Sequence, residues 1–293
     1  MRLKHLFIVA ILYINALYTK PWHASIEASA GPAWQSFFLY KTFTLKPGLF
    51  VGEPQAEKMA IHSIFMPFVA AAGTITIAEK ITAGLSLGTG TGYKAPTTFM
   101  PSTELVNGLY EKGSLGMISR LHASIIDGNI GFRMPIAKLL CINPILGYTR
   151  TQQIIDARFV LDDAMGIFFT NRWHGAYAGL IVILPCTSFV TIAGSYKYVA
   201  GEVDARTTVH ETLTKLPNDP FSCATLPMTG SIASIRLSYA YGCWDLGGQV
   251  FYYRYQNSKP ATIYLKNNIG QTEHTQEIAW QQTIVQIFAQ YNF

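Results

Sequence analysis

The sequence predicts an all-β fold, an antiparallel transmembrane β-barrel of about ten strands with short periplasmic turns and long external loops. Three observations lead to this fold class. The chain is apolar and poorly charged, although it has no long apolar run after its first residues. Its segments alternate between apolar and polar residues, and the connections between those segments alternate between short and long.

Charged residues make up 13% of the chain, which is about half the fraction in an average soluble domain. Hydrophobic residues reach 49% and aromatic residues 13%. After residue 18, the sequence contains no uninterrupted apolar run of about 20 residues, the length that a membrane-spanning helix needs. An apolar chain without such runs is typical of a barrel, in which hydrophobicity is spread over alternate residues.

The alternation is clear in residues 81–88, ITAGLSLG, where apolar residues occupy the odd positions and threonine, glycine and serine the even ones. Residues 231–241, SIASIRLSYAY, repeat the pattern. Such a period of two marks a strand with one apolar and one polar face. Strands are predicted near 276–293, 244–256, 229–241, 187–200, 173–184, 142–155, 115–137, 79–89, 60–76 and 26–43.

The connections between these strands alternate in length. Tight links fall at TITIAEK, AKLLC, LPCT and YGCW, and long links fall near 44–59, 90–114, 156–172, 201–228 and 257–275. Short turns on one side of the membrane and long loops on the other are a barrel signature. An even number of strands places both termini on the periplasmic side.

One strand changes phase. Apolar residues occupy odd positions up to Ile125 and even positions from Ile126 onward. A one-residue change of parity predicts a β-bulge near Ile125–Ile126, because a bulge inserts one extra residue into a strand. Before the bulge Arg120 and His122 would face inward, and after it Asp127 would do so.

The first residues have the pattern of a secretory leader. A short basic start, MRLKH, precedes the apolar run LFIVAILYINALY, residues 6–18, which is too short to span a membrane as a helix. We predict a signal peptide over residues 1–24, with the cleavage site left open, and a barrel over residues 25–293. A core helix is the alternative.

Loss of the leader lowers the net charge of +5 by three, so nucleic acid is not an expected partner.

The chain ends in a strand, residues 283–293, whose apolar face carries Val285, Ile287, Tyr291 and Phe293. This ending, an aromatic residue followed by x-Phe, resembles the C-terminal signature of Gram-negative outer-membrane β-barrel proteins. In those proteins the assembly machinery recognises the signature. The resemblance implies an outer-membrane location, contact of the apolar face with outer-membrane lipid, and the barrel-assembly machinery as a partner.

Charged side chains at the level of the membrane are expected to face the lumen, because lipid does not solvate them. By parity these candidates are Glu27, Asp127, Arg133, Lys197 and Arg236. Two roles stay open. The set could line a narrow aqueous path and determine a preference for anions, or it could form a salt-bridged polar plug that keeps a small barrel rigid.

The strand number, size and loop lengths resemble those of the omptin outer-membrane proteases over most of the chain after the leader. That family carries an Asp pair in the second external loop and Asp-x-His in the fourth. Here the second loop, 90–114, contains no Asp, and in the fourth loop Asp204 and His210 lie six residues apart. The resemblance therefore covers the layout alone. We predict no catalytic residue, with a rim hydrolase built on Asp204 and His210 as an alternative.

Neither a metal nor a cofactor is predicted. The sequence has no histidine cluster or Cys-x-x-Cys motif for a metal, and no glycine-rich phosphate loop.

Three of the four cysteines, Cys141, Cys186 and Cys243, fall at predicted periplasmic turns. Turns of different hairpins are too far apart for the Cα separation of about 4.4–6.8 Å that a disulfide needs. The three are therefore candidates for cross-links to other envelope proteins, and burial as small hydrophobic residues is the alternative. Cysteine placement, size and low charge resemble those of porin-like proteins of chlamydia-like bacteria, whose outer envelopes are disulfide-linked.

These observations predict an outer-membrane protein that is either a small porin-like channel or a structural component of the envelope. The alternative from another class is a surface-binding barrel, adhesin-like, that acts through external loops 90–114 and 201–228.

Overall fold

The computed structural model describes residues 22–44, 55–100, 115–137, 139–159, 166–210, 222–259, 261–264 and 272–293. Most of the predicted signal peptide, residues 1–24, lies outside these ranges. Trp22 already belongs to the first strand, where it pairs with Ile77. A cleaved leader therefore stays a prediction.

The described residues form twelve strands and no helix that could cross a membrane. The strands are β1 (Trp22–Thr44), β2 (Gln55–Ile77), β3 (Ile81–Met100), β4 (Leu115–Phe132), β5 (Met134–Ala137), β6 (Leu140–Phe159), β7 (Gly166–Pro185), β8 (Val190–His210), β9 (Ser222–Tyr241), β10 (Trp244–Asn257), β11 (Ala261–Tyr264) and β12 (Thr272–Asn292).

Ten long strands close into an antiparallel barrel. They pair in chain order, and the last of them, β12, pairs with β1 from Asn292 opposite Ser25 to Thr272 opposite Thr44. The short strands β5 and β11 are additions beside β6 and β12. The predicted fold class is confirmed, and so is the predicted number of barrel strands.

The tight links lie at the end of the barrel that holds the start of β1 and the end of β12. The turn between β2 and β3 places Ala78 and Glu79 at φ of 53° and 59°, and the turn between β9 and β10 places Gly242 at φ of 60°. Glycine adopts positive φ without the steric cost that a Cβ brings. We call this end of the barrel the turn end and the opposite end the loop end.

The predicted bulge at Ile125–Ile126 is wrong. Ile125 lies opposite Thr151 and Ile126 opposite Arg150, with no register shift between them, and the pairing of β4 with β3 is equally regular there. The phase change is a change in the surroundings of the strand and not in its backbone. Near the turn end, the apolar residues of β4 face outward, and nearer the loop end they face inward.

The predicted orientation of two further residues is also wrong. Arg120 is exposed, and His122 shares the outward face of β4, where its Nδ1 lies 3.1 Å from Thr91 Oγ1. Leu121 between them is buried inside the barrel. Asp127 faces inward as predicted, because parity is kept along the whole strand.

An apolar belt surrounds the half of the barrel at the turn end. Each strand contributes about three to five outward apolar residues. These are spread over about ten residues of strand, so at the tilt usual for such barrels the belt is about 25 Å tall. That is the height of the apolar band of outer-membrane barrels. Aromatic residues mark its two edges, as at membrane interfaces. They include Tyr148, Tyr198 and Tyr252 towards the loop end, and Trp22, Tyr241, Trp244 and Phe293 towards the turn end.

The strands continue for about ten residues beyond the belt. The predicted loops 90–114 and 201–228 are therefore shorter than expected, because residues 90–100 belong to β3, 201–210 to β8 and 222–228 to β9. Their remaining parts, 101–114 and 211–221, lie outside the described residues. The barrel thus projects from the membrane on the side of its long connections.

Replacing Ile287 with arginine should lower the free energy of unfolding by about 2–4 kcal/mol, because a charge in the middle of the belt faces lipid. Ile287 is 76% exposed on the outward face of β12. Equilibrium unfolding of the refolded protein in lipid vesicles measures the loss. The control is Gln281→Arg on the same face, beyond the belt, which should cost less than about 1 kcal/mol. Equal losses would contradict this position of the belt.

Candidate functional site in the barrel interior

The interior changes character along the barrel axis. Within the belt, many inward side chains are small or polar, and this region holds most of the predicted lumen charges. Beyond the belt, large apolar and aromatic inward side chains predominate, and buried amides such as those of Gln153 and Asn171 lie among them. We call the first region the polar chamber, defined by Glu27, Asp127, Lys197, Arg236 and Gln249. The second is the aromatic layer, defined by Trp173, Tyr253, Tyr255 and Trp280.

One wall of the polar chamber holds an ion pair between β4 and β8. Lys197 Nζ lies 2.9 Å from Asp127 Oδ1 and 3.0 Å from Oδ2. The Tyr177 hydroxyl, on β7, donates a hydrogen bond of 2.8 Å to the same carboxylate. The two charged side chains are 14% and 8% exposed. The lysine and the carboxylate therefore form an ion pair from which water is largely excluded.

A second ion pair crosses the seam at which the barrel closes. Arg236 on β9 pairs with Glu27 on β1, and it donates a hydrogen bond of 2.8 Å to Gln290 Oε1 on β12. Gln249 Nε2 on β10 donates to Glu27 Oε1 at 2.9 Å. The Arg236 guanidinium also lies over the Phe288 ring, 3.6 Å from its centroid. This network ties the first strand to the last ones.

Between the two ion pairs lies a cavity with an empty volume of about 620 Å³, part of it open solvent. Glu27, Asp127 and Lys197 line it together with three serines, and Gln286 Nε2 is buried there without a partner among the described residues. Its apolar lining includes Phe68, Ile125, Ile232, Phe251, Tyr253 and Ile284. Buried amides of this kind usually hold ordered water.

Arg133 lies apart from the other four candidates. It is exposed at the turn end between β4 and β5, where its Nε donates to Cys141 Sγ at 3.3 Å. Its backbone N–H donates to the Lys80 carbonyl at 2.6 Å. Four of the five predicted lumen charges thus meet in two pairs, and the fifth lies at the mouth of the barrel. The role of all five in ion selectivity stays a prediction.

The aromatic layer spans the lumen beyond the chamber. Trp173 on β7 stacks on Tyr255 of β10 with ring centroids 5.8 Å apart, and Tyr255 stacks on Trp280 of β12 at 5.1 Å. All three side chains are at most 1% exposed. Around the ring of ten long strands, two strands separate β7 from β10 and three separate it from β12, so the stack reaches across the lumen. Burial raises the pKa of the Tyr255 phenol, which keeps that group neutral.

Apolar residues from nine of the ten long strands pack around this stack in one cluster. On the tenth, β3, glycines make room for their neighbours. A Cβ at Gly90 would lie 2.7 Å from Phe68 Cδ2, closer than side chains tolerate. The layer also contains Gln35 and Gln282, whose amide atoms are buried without partners among the described residues.

The three candidate cysteines have different surroundings. Cys141 is buried on the inner face of β6, whereas Cys186 and Cys243 are exposed in the turns that follow β7 and β9. All three are free thiols. The side chain of Cys223 lies outside the description of the structure.

The rim pair considered in the sequence does not form. Asp204 and His210 both lie in β8, six residues apart, which separates their Cα atoms by about 20 Å. Asp204 instead faces outward beside His174, whose Nε2 lies 3.5 Å from Asp204 Oδ2. Within the described ranges, no group of three or more acidic, histidine or cysteine side chains is arranged to hold a metal ion.

Sequence reasoning missed the aromatic layer. Trp173, Tyr253, Tyr255 and Trp280 follow the same parity as the inward polar residues of their strands, and that parity was the available signal. The alternation predicts one apolar and one polar face for each strand, and the inward face is largely polar only within the belt. Beyond the belt, the outward face of each strand contacts water and not lipid. Apolar residues therefore lie on the inward face, where they form a core.

No protein-family model and no curated protein matches the sequence. The fold is similar to that of solved outer-membrane barrels. The outer membrane protease OmpT from Escherichia coli superposes with a TM-score of 0.71 at 13% identity, over 92% of this chain and 97% of that chain. At this identity the likeness shows the fold alone, which is that of an outer-membrane β-barrel.

Two further solved structures match with lower TM-scores. The translocator domain of autotransporter NalP from Neisseria meningitidis gives a TM-score of 0.37 at 13% identity, over 99% of this chain and 95% of that one. The outer membrane protein OprG from Pseudomonas aeruginosa gives 0.38 at 10% identity, over 94% and 97%.

Replacing Lys197 with methionine should lower the free energy of unfolding by about 3–5 kcal/mol, because Asp127 then stays buried without its counter-charge. The double variant Asp127→Asn, Lys197→Met should recover most of that loss. Denaturant unfolding of the two variants and the parent measures both effects. If the single and double variants are equally unstable, packing of the Lys197 stem and not charge pairing explains the loss.

Proposed function

We propose that the protein is a closed barrel that serves as a structural component of the outer membrane. The observation that carries this proposal is the aromatic layer. A hydrated ion needs a continuous aqueous path, and the rings of Trp173, Tyr255 and Trp280 lie across the lumen with almost no exposed surface. We expect them to block passage.

The polar chamber supports the same proposal. Its charges are neutralised in pairs. Tyr177 and Gln249 donate further hydrogen bonds to the two carboxylates, and Gln290 accepts one from Arg236. Satisfied networks of this kind make a wall rigid, because breaking one partner leaves a buried charge. The porin-like alternative would require the aromatic layer to move, and Arg133, Lys197 and Arg236 would then influence which ions pass.

A second candidate function is binding at the cell surface. The strands carry the long connections about ten residues beyond the belt, clear of the lipid. Connections held at that height on a rigid scaffold are well placed to meet a partner outside the cell. This role is compatible with a closed lumen.

We further propose that Cys186 and Cys243 are the thiols through which the barrel is cross-linked to cysteine-bearing envelope proteins. Both are exposed in turns at the turn end of the barrel, which the sequence predicts to be periplasmic. Three strand spacings separate them, about 14 Å, so they are too far apart to bond with each other. Cys141 is buried and has no part in this proposal.

The refolded protein should give no conductance steps in a planar bilayer, because the aromatic layer closes its lumen. The double variant Tyr255→Ala, Trp280→Ala should produce discrete steps. The control Tyr252→Ala removes an outward aromatic ring from the same strand as Tyr255 and should stay silent. Heat-modifiable gel mobility confirms beforehand that each barrel is folded. Steps from the parent protein would overturn the closed-barrel proposal.

A membrane-impermeant maleimide should label Cys186 and Cys243 in the folded barrel and reach Cys141 only after denaturation. In cells that export the protein, the double variant Cys186→Ser, Cys243→Ser should lose the high-molecular-weight species seen on non-reducing gels. The matched variant Cys141→Ser should keep them. Cross-linked species that survive in the double variant would contradict the assignment.

A further inference from the structure

A chain of four polar side chains crosses the outer wall just beyond the belt. Tyr148, His174, Asp204 and Thr225 lie on the neighbouring strands β6, β7, β8 and β9 and face outward. The Tyr148 hydroxyl oxygen lies 3.0 Å from His174 Nδ1, and His174 Nε2 lies 3.5 Å from Asp204 Oδ2. Thr225 Oγ1 donates to Asp204 Oδ1 at 2.7 Å.

The chemistry of these four side chains decides which group donates and which accepts each hydrogen bond between them. An ionised carboxylate only accepts hydrogen bonds, so Asp204 favours the neutral tautomer of His174 that carries its proton on Nε2. Nδ1 is then the acceptor, and the Tyr148 phenol donates to it. Thr225 fixes the carboxylate from its other side. The order is that of a nucleophile, a base and a group that orients the base.

We propose that Tyr148, His174 and Asp204 form a nucleophilic site for acyl transfer from esters at the outer-leaflet surface. Tyr148 is the nucleophile, His174 is the general base, and Asp204 is a positioning residue. Tyr148 is 52% exposed, so a substrate can reach its oxygen. The proposal goes beyond a structural role, since it concerns the outer wall and not the lumen, and it departs from the expectation that the protein is not an enzyme.

The wall beneath the imidazole fits an acyl chain. On β7 two small exposed residues, Ala176 and Ala178, continue the outward face into the belt. They lie opposite Tyr148 and Leu146 on β6, and Ala178 lies opposite Tyr198 on β8. A strip of small residues, which includes Ala200 opposite Ala176 on β8, thus leads from the lipid to the phenol between larger exposed side chains. This favours an amphiphilic ester over a water-soluble one.

The same face of β6 carries a cation. Arg150 is exposed on the same face of β6, two residues beyond Tyr148, and is the cross-strand partner of His174. The guanidinium is long enough to reach the carbonyl oxygen of an ester that the phenol attacks. Negative charge develops on that oxygen in the tetrahedral intermediate, and a nearby cation stabilises it.

In the proposed step, the Tyr148 oxygen bonds to the ester carbonyl carbon while its proton moves to His174 Nδ1. The carbonyl carbon–alkoxy oxygen bond then breaks, and the departing alkoxide takes the proton from Nδ1, which leaves an alcohol and an acyl-tyrosine ester. Water, deprotonated by His174, attacks that ester and releases a carboxylic acid, and the proton returns to the phenolate. No oxidant or reductant takes part, and Asp204 faces the transient imidazolium.

The experiment is a pre-steady-state assay of the refolded full-length protein in detergent with p-nitrophenyl butyrate. We expect a burst of nitrophenolate and a butyryl group on the peptide that contains Tyr148, identified by mass spectrometry. Tyr148→Phe should abolish both. His174→Gln should slow the burst at least about a hundredfold. Asp204→Asn should lower the burst rate and leave its amplitude unchanged, which a merely structural role would not do.

The matched control is Tyr252→Phe, an outward tyrosine at the same edge of the belt, which should keep the parent rate. A burst of equal size in Tyr148→Phe, acylation at another residue, or no burst from a folded parent barrel would each overturn the proposal. Its failure is separate from that of the closed-barrel proposal, because conductance reports on the lumen and acylation on the outer wall.

Discussion

The structure depends on the pairing of β12 with β1. A backbone N–H or C=O left without a partner in lipid costs several kcal/mol, so a sheet can cross a membrane only if it has no free edge. Here the seam is paired over nearly the whole length of both strands. The interior network of Glu27, Arg236 and Gln249 lies at the same seam and adds side-chain contacts to the backbone ladder.

Closure also decides where every side chain points. Because alternate residues face opposite sides of a strand, a barrel in lipid must place apolar residues outside over the height of the belt, and its charges are left inside. Inside, Asp127 and Lys197 neutralise each other. Beyond the belt this constraint disappears, and water replaces lipid on the outer wall. The rings of Trp173 and Trp280 can then fill the lumen, while a polar chain that includes His174 and Asp204 occupies the outer surface.

Much of the fold and part of the site could be predicted from the sequence. Alternation and tight-turn composition are local properties, so they located the strands and the connections at the turn end. Parity placed Glu27 and Arg236 on the inward face. Parity alone could not say that these two residues, 209 positions apart, would meet across the seam. That contact depends on the register and stagger of ten strands, which no local pattern contains.

The sequence by itself determined the class of the fold, the number of barrel strands and the end of the barrel at which the tight turns lie, because these follow from a repeating two-residue pattern and from the lengths of the connections. The tertiary structure alone decided which regions of that pattern met lipid, water or other side chains. The strand has no bulge at Ile125, where the surroundings and not the backbone change. Cys141 is buried and Cys186 is exposed. Asp204 lies beside His174 and not beside His210. Each outcome depends on height along the barrel and on neighbours across strands, and closure of the sheet fixes both.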